Sequence, residues 1–167
     1  RFQNLNELKN NITKGLQREK EEKERQRFRL AILEQISNQT KFELVPKAIE
    51  SEIEVMVAEL KASVRSMGLD WQNYLNQIGE TEASLADKLR GEAEKRLRYA
   101  LVLRQIAEEE RIEPSSEEIK EEVNKSLQRF SSAKETEQSI DMASLFNYSK
   151  NILRNEKVFQ LLEKYAP

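Results

Sequence analysis

Thirty Asp and Glu side chains and twenty-eight Lys and Arg side chains are the main stock of reactive groups in this 167-residue sequence. Paired or clustered carboxylates are what general acid–base catalysis or a hard-metal site would need. Their arrangement argues against both. Most stand in runs such as EEKE (21–24), EAEK (92–95) and EEER (108–111), interleaved with Lys and Arg. On helices such runs make solvated faces with partners four residues apart. Histidine and cysteine are absent. That removes the Ser-His-Asp triad, the thiolate nucleophile, the His-ligated zinc, the Glu-x-x-His di-iron site and any disulfide framework. No Asp-x-Asp-x-Asp-Gly loop, Gly-rich phosphate cradle or Gly-x-Ser-x-Gly elbow occurs. The residues predict no catalytic group, no metal and no cofactor.

The other unusual supply is apolar and adaptable. Met56, Met67 and Met142 join Trp71, Tyr74, Phe130, Phe146 and Tyr148 near the ends and turns of predicted helices, where burial is hardest to complete. Methionine changes shape cheaply, and surfaces that accept many partners use that plasticity. The stretch GLDWQNYLNQIG, residues 68–79, holds the only tryptophan and the longest uncharged run, Trp71 to Gly79, in a chain that is 35% charged. Such a segment either folds back to cap a core or forms a tip that meets another molecule. The residues alone leave both readings open.

The elements that must position these residues are helical. Ala, Leu, Glu, Lys, Arg and Gln dominate, and Gly and Pro are scarce. A first helix is expected from about Leu5 to Asn38, opened by Asn4 with Glu7. Leu5, Leu8, Ile12 and Leu16 lie on one face, a polar waist follows over Gln17–Arg27, and Phe28, Ile32, Leu33 and Ile36 resume the apolar stripe. Glu19–Lys23 and Glu21–Arg25 stand four apart with the acid first, about 0.2–0.5 kcal/mol each. Pro46 opens a second helix running to Met67, striped by Ile49, Ile53, Met56, Leu60, Val64 and Met67, and Gly68 stops it. Asp70 caps a short third helix that Gly79 ends. Thr81 caps a fourth, reaching about Arg111, with Leu85, Leu89, Ala93, Leu97, Ala100, Leu101, Leu103 and Ile106 as its apolar positions. Pro114, then Ser115 with Glu118, separates it from a fifth helix carrying Ile119, Val123, Leu127 and Phe130. A flexible turn is expected over Ser131–Ser139. A last helix spans roughly Ile140–Tyr165, packing through Phe146, Ile152, Leu153, Phe159, Leu162 and Tyr165. No strand is expected. The fold class is all-α, and the low apolar fraction (38%) predicts an elongated multi-helix domain with a long N-terminal helix, shaped as arms and not as a ball.

The formal net charge is −2, so no basic field would draw nucleic acid or an anionic membrane directly. No apolar run approaches the roughly 20 residues that cross a bilayer. No signal peptide opens the sequence, and the absence of cysteine is compatible with a reducing cytoplasm. The abrupt start in structured sequence suggests a fragment of a longer chain.

Four segments in order, RFQNLNELKNNITKGLQREKEEKERQRFRLAILEQI, FELVPKAIESEIEVM, LRYALVLRQIAEEERIEPSSEEI and NILRNEKVFQLLEKYA, resemble the C-terminal domain of bacterial trigger factor, the ribosome-associated chaperone. The Phe42-to-Pro46 entry to the second helix and the Ile112-x-Pro114-Ser115-x-x-Glu118 junction are the most specific pieces, and the resemblance covers essentially the whole chain. It implies one domain over residues 1–167, a helical body with two arms that cradle unfolded chains. The family's ribosome-docking and peptidyl-prolyl isomerase domains would be absent. The resemblance further implies an ATP-independent cytoplasmic chaperone, not an enzyme, that takes unfolded or nascent polypeptides as partners. Any ribosome contact would come through the missing N-terminal domain, and a homodimer is left open. By position, Met56, Leu60, Met67, Leu69, Trp71, Tyr74 and Leu75 become client contacts on the first arm, and Leu127, Phe130, Met142 and Phe146 on the second. FSSAKETEQSIDM (130–142) departs from the aromatic–glycine turn frequent in the family.

The competing reading is a helical structural or adaptor module whose apolar ends dock one fixed partner. It predicts a single saturable partner and a buried Trp71. The helical domain of a periplasmic parvulin-type chaperone is a related alternative; an enzyme ranks behind both, without His or Cys.

Overall fold

The computed structural model describes residues 4–132 and 141–165, except for the side chains of residues 129–132. Six helices form among the described residues, and no strand: α1 (Leu5–Gln39), α2 (Pro46–Ser66), α3 (Trp71–Ile78), α4 (Glu82–Glu109), α5 (Ser116–Ser132) and α6 (Met142–Tyr165). The fold is all-α, as the composition predicts.

Short polar side chains set where the helices begin, by satisfying backbone N–H groups that have no partner inside the helix. Glu7 N–H donates to Asn4 Oδ1 at 2.9 Å, and Asn73 N–H to Asp70 Oδ1 at 3.0 Å. Thr81 and Ser84 bond reciprocally, Ser84 N–H to Thr81 Oγ1 at 3.1 Å and Thr81 N–H to Ser84 Oγ at 2.9 Å. Ser115 and Glu118 do the same at 3.2 and 2.7 Å. Pro46 opens α2. Gly68 and Gly79 take φ of +74° and +69°, the left-handed turn that returns the chain after α2 and α3.

Past the end of α4 this turn is made without glycine. Arg111 sits at φ +53°, which lets Ile112 N–H reach Ala107 O at 2.8 Å. A side chain in this region costs about 1–2 kcal/mol, partly offset by the larger entropy a glycine loses on folding. Arg111→Gly is expected to raise stability by about 0.5–1 kcal/mol. An unchanged or lower urea midpoint would refute this.

Two compact units form. The first spans Ser37–Arg104. Its core joins Ile49, Ile53 and Val57 of α2 to Ala93 of α4, with Leu44, Met56, Trp71, Ala86, Leu89 and Leu97 packed around them. Ala93 lets the two helices approach, and each buried Ile contributes about 1.5–3 kcal/mol by leaving water. Arg96 fastens the same pair from outside, bonding Glu59 through two nitrogens at 2.9 and 3.0 Å and Glu52 at 3.0 Å. Arg98 lies 5.2 Å over the Phe42 ring and donates to Phe42 O at 3.3 Å, tying the segment before α2 onto α4.

The second unit joins the chain up to Ile36 with the chain from Gln105 on. Ile119 and Val123 of α5 bury against Leu145 of α6, flanked by Leu127 and Leu153. Between α1 and α6 the contact is ionic. Arg29, only 6% exposed, donates to both oxygens of Glu156 at 2.6 and 2.8 Å and to Glu163 at 2.6 Å. Its guanidinium also lies 4.9 Å over the Phe159 ring.

Several packing expectations need correction. Leu101 is exposed and Val102 buried on α4. On α6 the buried residues are Leu145, Ser149 and Val158, whereas Phe146, Ile152 and Tyr165 are exposed. The buried line of α6 passes through a serine and the Arg29 carboxylates, so hydrophobicity alone sets its phase wrongly. In the waist of α1, Glu19–Lys23 pair as expected at 2.7 Å. Arg25 turns to Glu163 at 3.2 Å, and Glu21 accepts from Gln17 at 2.9 Å instead. Helix α5 continues through Ser132, past the expected start of the turn at Ser131; residues 133–140 lie outside the described residues.

Candidate functional site

The Ser37–Arg104 unit closes at one end through the α2–α3–α4 turns, and most of the expected first-arm residues gather there. Met67 ends α2 and is 63% exposed; Leu69, in the turn, and Ile78, at the end of α3, are exposed too. Leu75 is not part of this surface. At 3% exposure it is the inward anchor of α3: the helix is turned so that the Leu75 edge of its apolar face, which also carries Trp71, Tyr74 and Ile78, points inward. This corrects its assignment as a client contact. Met56 and Leu60 are half-buried along α2, Met56 against the Ile49–Ala93 core.

Trp71 is half-buried and held on every side. Its indole N–H donates to Glu82 Oε2 at 3.0 Å. Lys61 donates to the other oxygen of Glu82 at 2.7 Å and stands 5.4 Å from the Trp71 ring. Tyr74 stacks on the indole at 5.7 Å between centroids with 23° between planes. Lys61 first, then the Trp71 N–H, hold the Glu82 carboxyl below the usual carboxylate range. So Trp71 and Tyr74 shape the end of the hairpin, and the exposed apolar atoms there belong mainly to Met67, Leu69 and Ile78. Ile78 was not among the expected contacts. Its position one residue before the stop glycine, where the helix leaves neighbours on one side only, was the available signal.

The outer face of this end is open and uncharged apart from Asp70. Gly68, Leu69, Asp70, Asn73, Asn76 and Gln77 line a shallow depression. In the other unit, Met142 and Phe146 lie one turn apart on α6 and are exposed, with Tyr148 and Ile152 also exposed along the helix. Leu127 is half-buried, packed against the Ile119–Leu145 core. The side chain of Phe130 lies outside the described residues. No group of carboxylates among the described residues could hold a metal ion, and no described helix is long and apolar enough to cross a membrane. The chemistry on offer is a set of exposed thioether, aliphatic and aromatic side chains at helix ends.

Residues 4–164 match the family model described as the bacterial trigger factor protein C-terminus. The trigger factor of Clostridium kluyveri is 28% identical over 162 residues, covering 96% of this chain and 38% of that protein. The trigger factor of Clostridium botulinum (strain Loch Maree) is 30% identical over 165 residues, again 96% and 38%. The chain thus spans well under half the length of these relatives. No solved structure matches it.

Proposed function

The chain belongs to the bacterial trigger factor C-terminal family, and from that premise we propose that it is a chaperone domain that binds exposed apolar segments of unfolded or nascent polypeptides in the cytoplasm and assists their folding without ATP. The observation that carries this reading is the exposed group Met67, Leu69 and Ile78 at the closed end of one hairpin. Met142 and Phe146 on α6 provide a second group of the same chemistry. Each group offers client side chains a place to leave water, at about 25 cal/mol per Å². Ordering a disordered client uses up much of that gain, so single sites bind weakly and exchange fast. Two or more sites on one chain raise avidity through effective concentration. The charged helix faces keep the chaperone itself dispersed. No catalytic step is assigned to this chain.

The test uses Trp71 as a fixed reporter, since Glu82, Lys61 and Tyr74 hold it beside the exposed group. Titrating a permanently unfolded, apolar-rich polypeptide is expected to shift Trp71 fluorescence saturably, and an unrelated unfolded chain should displace the first. The half-buried, pinned indole favours the second reading, an adaptor for one fixed partner, and the same titration separates the two. No spectral response and no competition between unrelated unfolded chains would sink the chaperone reading and leave the adaptor.

A further inference from the structure

One line of side chains on α1 takes no part in packing. Leu5, Ile12, Leu16 and Leu30 lie on it, and Lys9, Lys20, Lys23 and Arg27 stand among them. Successive members are three or four residues apart, so all share one face of the helix. Every one of them is exposed. Arg25, which bonds Glu163 on α6, stands two positions from both Lys23 and Arg27, about 200° around the helix. The line therefore faces away from α6. It runs for about 38 Å at 1.5 Å per residue, and no acid interrupts it between Leu5 and Leu30.

A single exposed leucine is ordinary on a protein surface. Four in one line, spaced in threes and fours, have the rhythm of a helix-docking seam. The cations in the seam decide what can dock. Lys9 and Lys20 have no ion pair among the described residues. Lys23 and Arg27 reach sideways to Glu19 and Glu24 at 2.7 and 2.9 Å, exposed pairs that contribute little and exchange readily. Two copies of this face would set Lys and Arg against Lys and Arg, which opposes self-pairing. A bilayer would have to take Lys20, Lys23 and Arg27 in the middle of the buried line. A phosphate backbone would leave the four aliphatic side chains uncovered. A helix with carboxylates and apolar residues in the same rhythm satisfies both kinds of group at once.

We propose that this face of α1 docks an acidic amphipathic helix of a partner protein, with carboxylates against the four cations and apolar side chains against the four aliphatic ones. The surface uses none of the client-contact residues and does not rest on the client-binding reading.

The experiment uses the full chain and two labelled helical peptides of roughly 26 residues, long enough to span the line. Both carry Leu at the positions that face the aliphatic residues. One carries Glu, the other Lys, at the positions that face the cations. Fluorescence anisotropy at low salt is expected to show the Glu peptide binding at least about tenfold more tightly, with the preference fading as salt rises. Lys9→Glu with Lys20→Glu should remove most of that preference. Lys14→Glu with Arg18→Glu makes the same change in charge on the other side of α1 and should leave it within about twofold. All four positions are exposed, so both variants keep the fold. Equal binding of the two peptides, or of neither, would overturn the proposal. So would an equal loss in the two variants, which would reduce the effect to diffuse attraction. Displacement of the Glu peptide by an unfolded, apolar-rich polypeptide would move it to the client surface and also overturn the assignment to α1. If Lys9→Glu with Lys20→Glu altered binding to phosphatidylglycerol vesicles, or sedimentation of the chain alone, while the Glu peptide stayed unbound, the occupant would be a bilayer or a second copy and the acidic-helix reading would fall.

Discussion

Arg29→Met is expected to be among the most destabilising single substitutions in the Arg29 unit, at about 2–4 kcal/mol. The size follows from what remains, not from the bonds lost. Arg29 is buried and bonds two carboxylates on one face of α6, Glu156 at 39% and Glu163 at 19% side-chain exposure. Removing the cation leaves both acids facing an apolar methionine and the Phe159 ring. Unpairing fully buried charges costs about 3–5 kcal/mol, and the partial exposure of Glu156 moves the expectation toward the lower end. The urea midpoint followed by circular dichroism measures it. A loss under about 0.5 kcal/mol would assign the cluster the small value of a surface ion pair.

A second arm of the same experiment varies pH. Hydrogen bonds from Arg29, the largest cause, hold Glu156 and Glu163 below their ordinary 4.5. A carboxylate with a lowered folded pKa adds stability that is fully present above its unfolded value and is lost as pH falls through the folded one. The native chain should keep this contribution at neutral pH and surrender it below pH 4.5. In Arg29→Met the acids lose their main partner, so protonation relieves them. The stability gap between native and variant should therefore close on acidification. A gap that stays constant would mean the substitution acts through packing. Replacing Arg29, Glu156 and Glu163 together by Met and Leu should come close to neutral, because desolvating three charges offsets much of what their pairing contributes.

Helix boundaries were legible in the sequence because capping is local. Asp70 before Trp71, Gly79 after Ile78, Thr81 before Glu82 and Ser115 with Glu118 each act within a few residues. Which face of a helix is buried was less legible. In α2 the stripe through Ile49, Ile53 and Val64 follows hydrophobicity, whereas in α6 the buried line includes Ser149 and serves a cation on another helix. The Arg29 cluster could not be read at all. Its partners lie 127 and 134 positions away, and each residue taken alone belongs to an ordinary charged run. The exposed apolar end of the hairpin was partly legible: an uncharged, Trp-bearing segment between glycines lies there. The division between Leu75 inside and Ile78 outside depends on how α3 rotates against its neighbours. The half-burial of Trp71 was not legible, because its N–H partner, Glu82, was not identifiable before the hairpin closed.

That division gives the second large effect. Met67→Ser, Leu69→Ser and Ile78→Ser together should weaken binding of an unfolded polypeptide by roughly 10–30-fold, since their exposed surfaces amount to a few hundred Å² at about 25 cal/mol per Å² and only part is covered by any one client. Stability should change by less than about 0.5 kcal/mol for each, because these side chains already face water. Leu75→Ala is the matched opposite. It empties the inward face of α3, costs about 2–4 kcal/mol, and should alter client binding only through unfolding, so at temperatures where the variant remains folded its affinity stays near the native value. The two variants therefore move different observables. If the triple-serine variant bound clients as the native chain does, the hairpin end would be a structural cap and the client surface would fall to Met142 and Phe146 on α6. If Leu75→Ala lost client binding while still folded, the bound state would require α3 to open and expose its inner face.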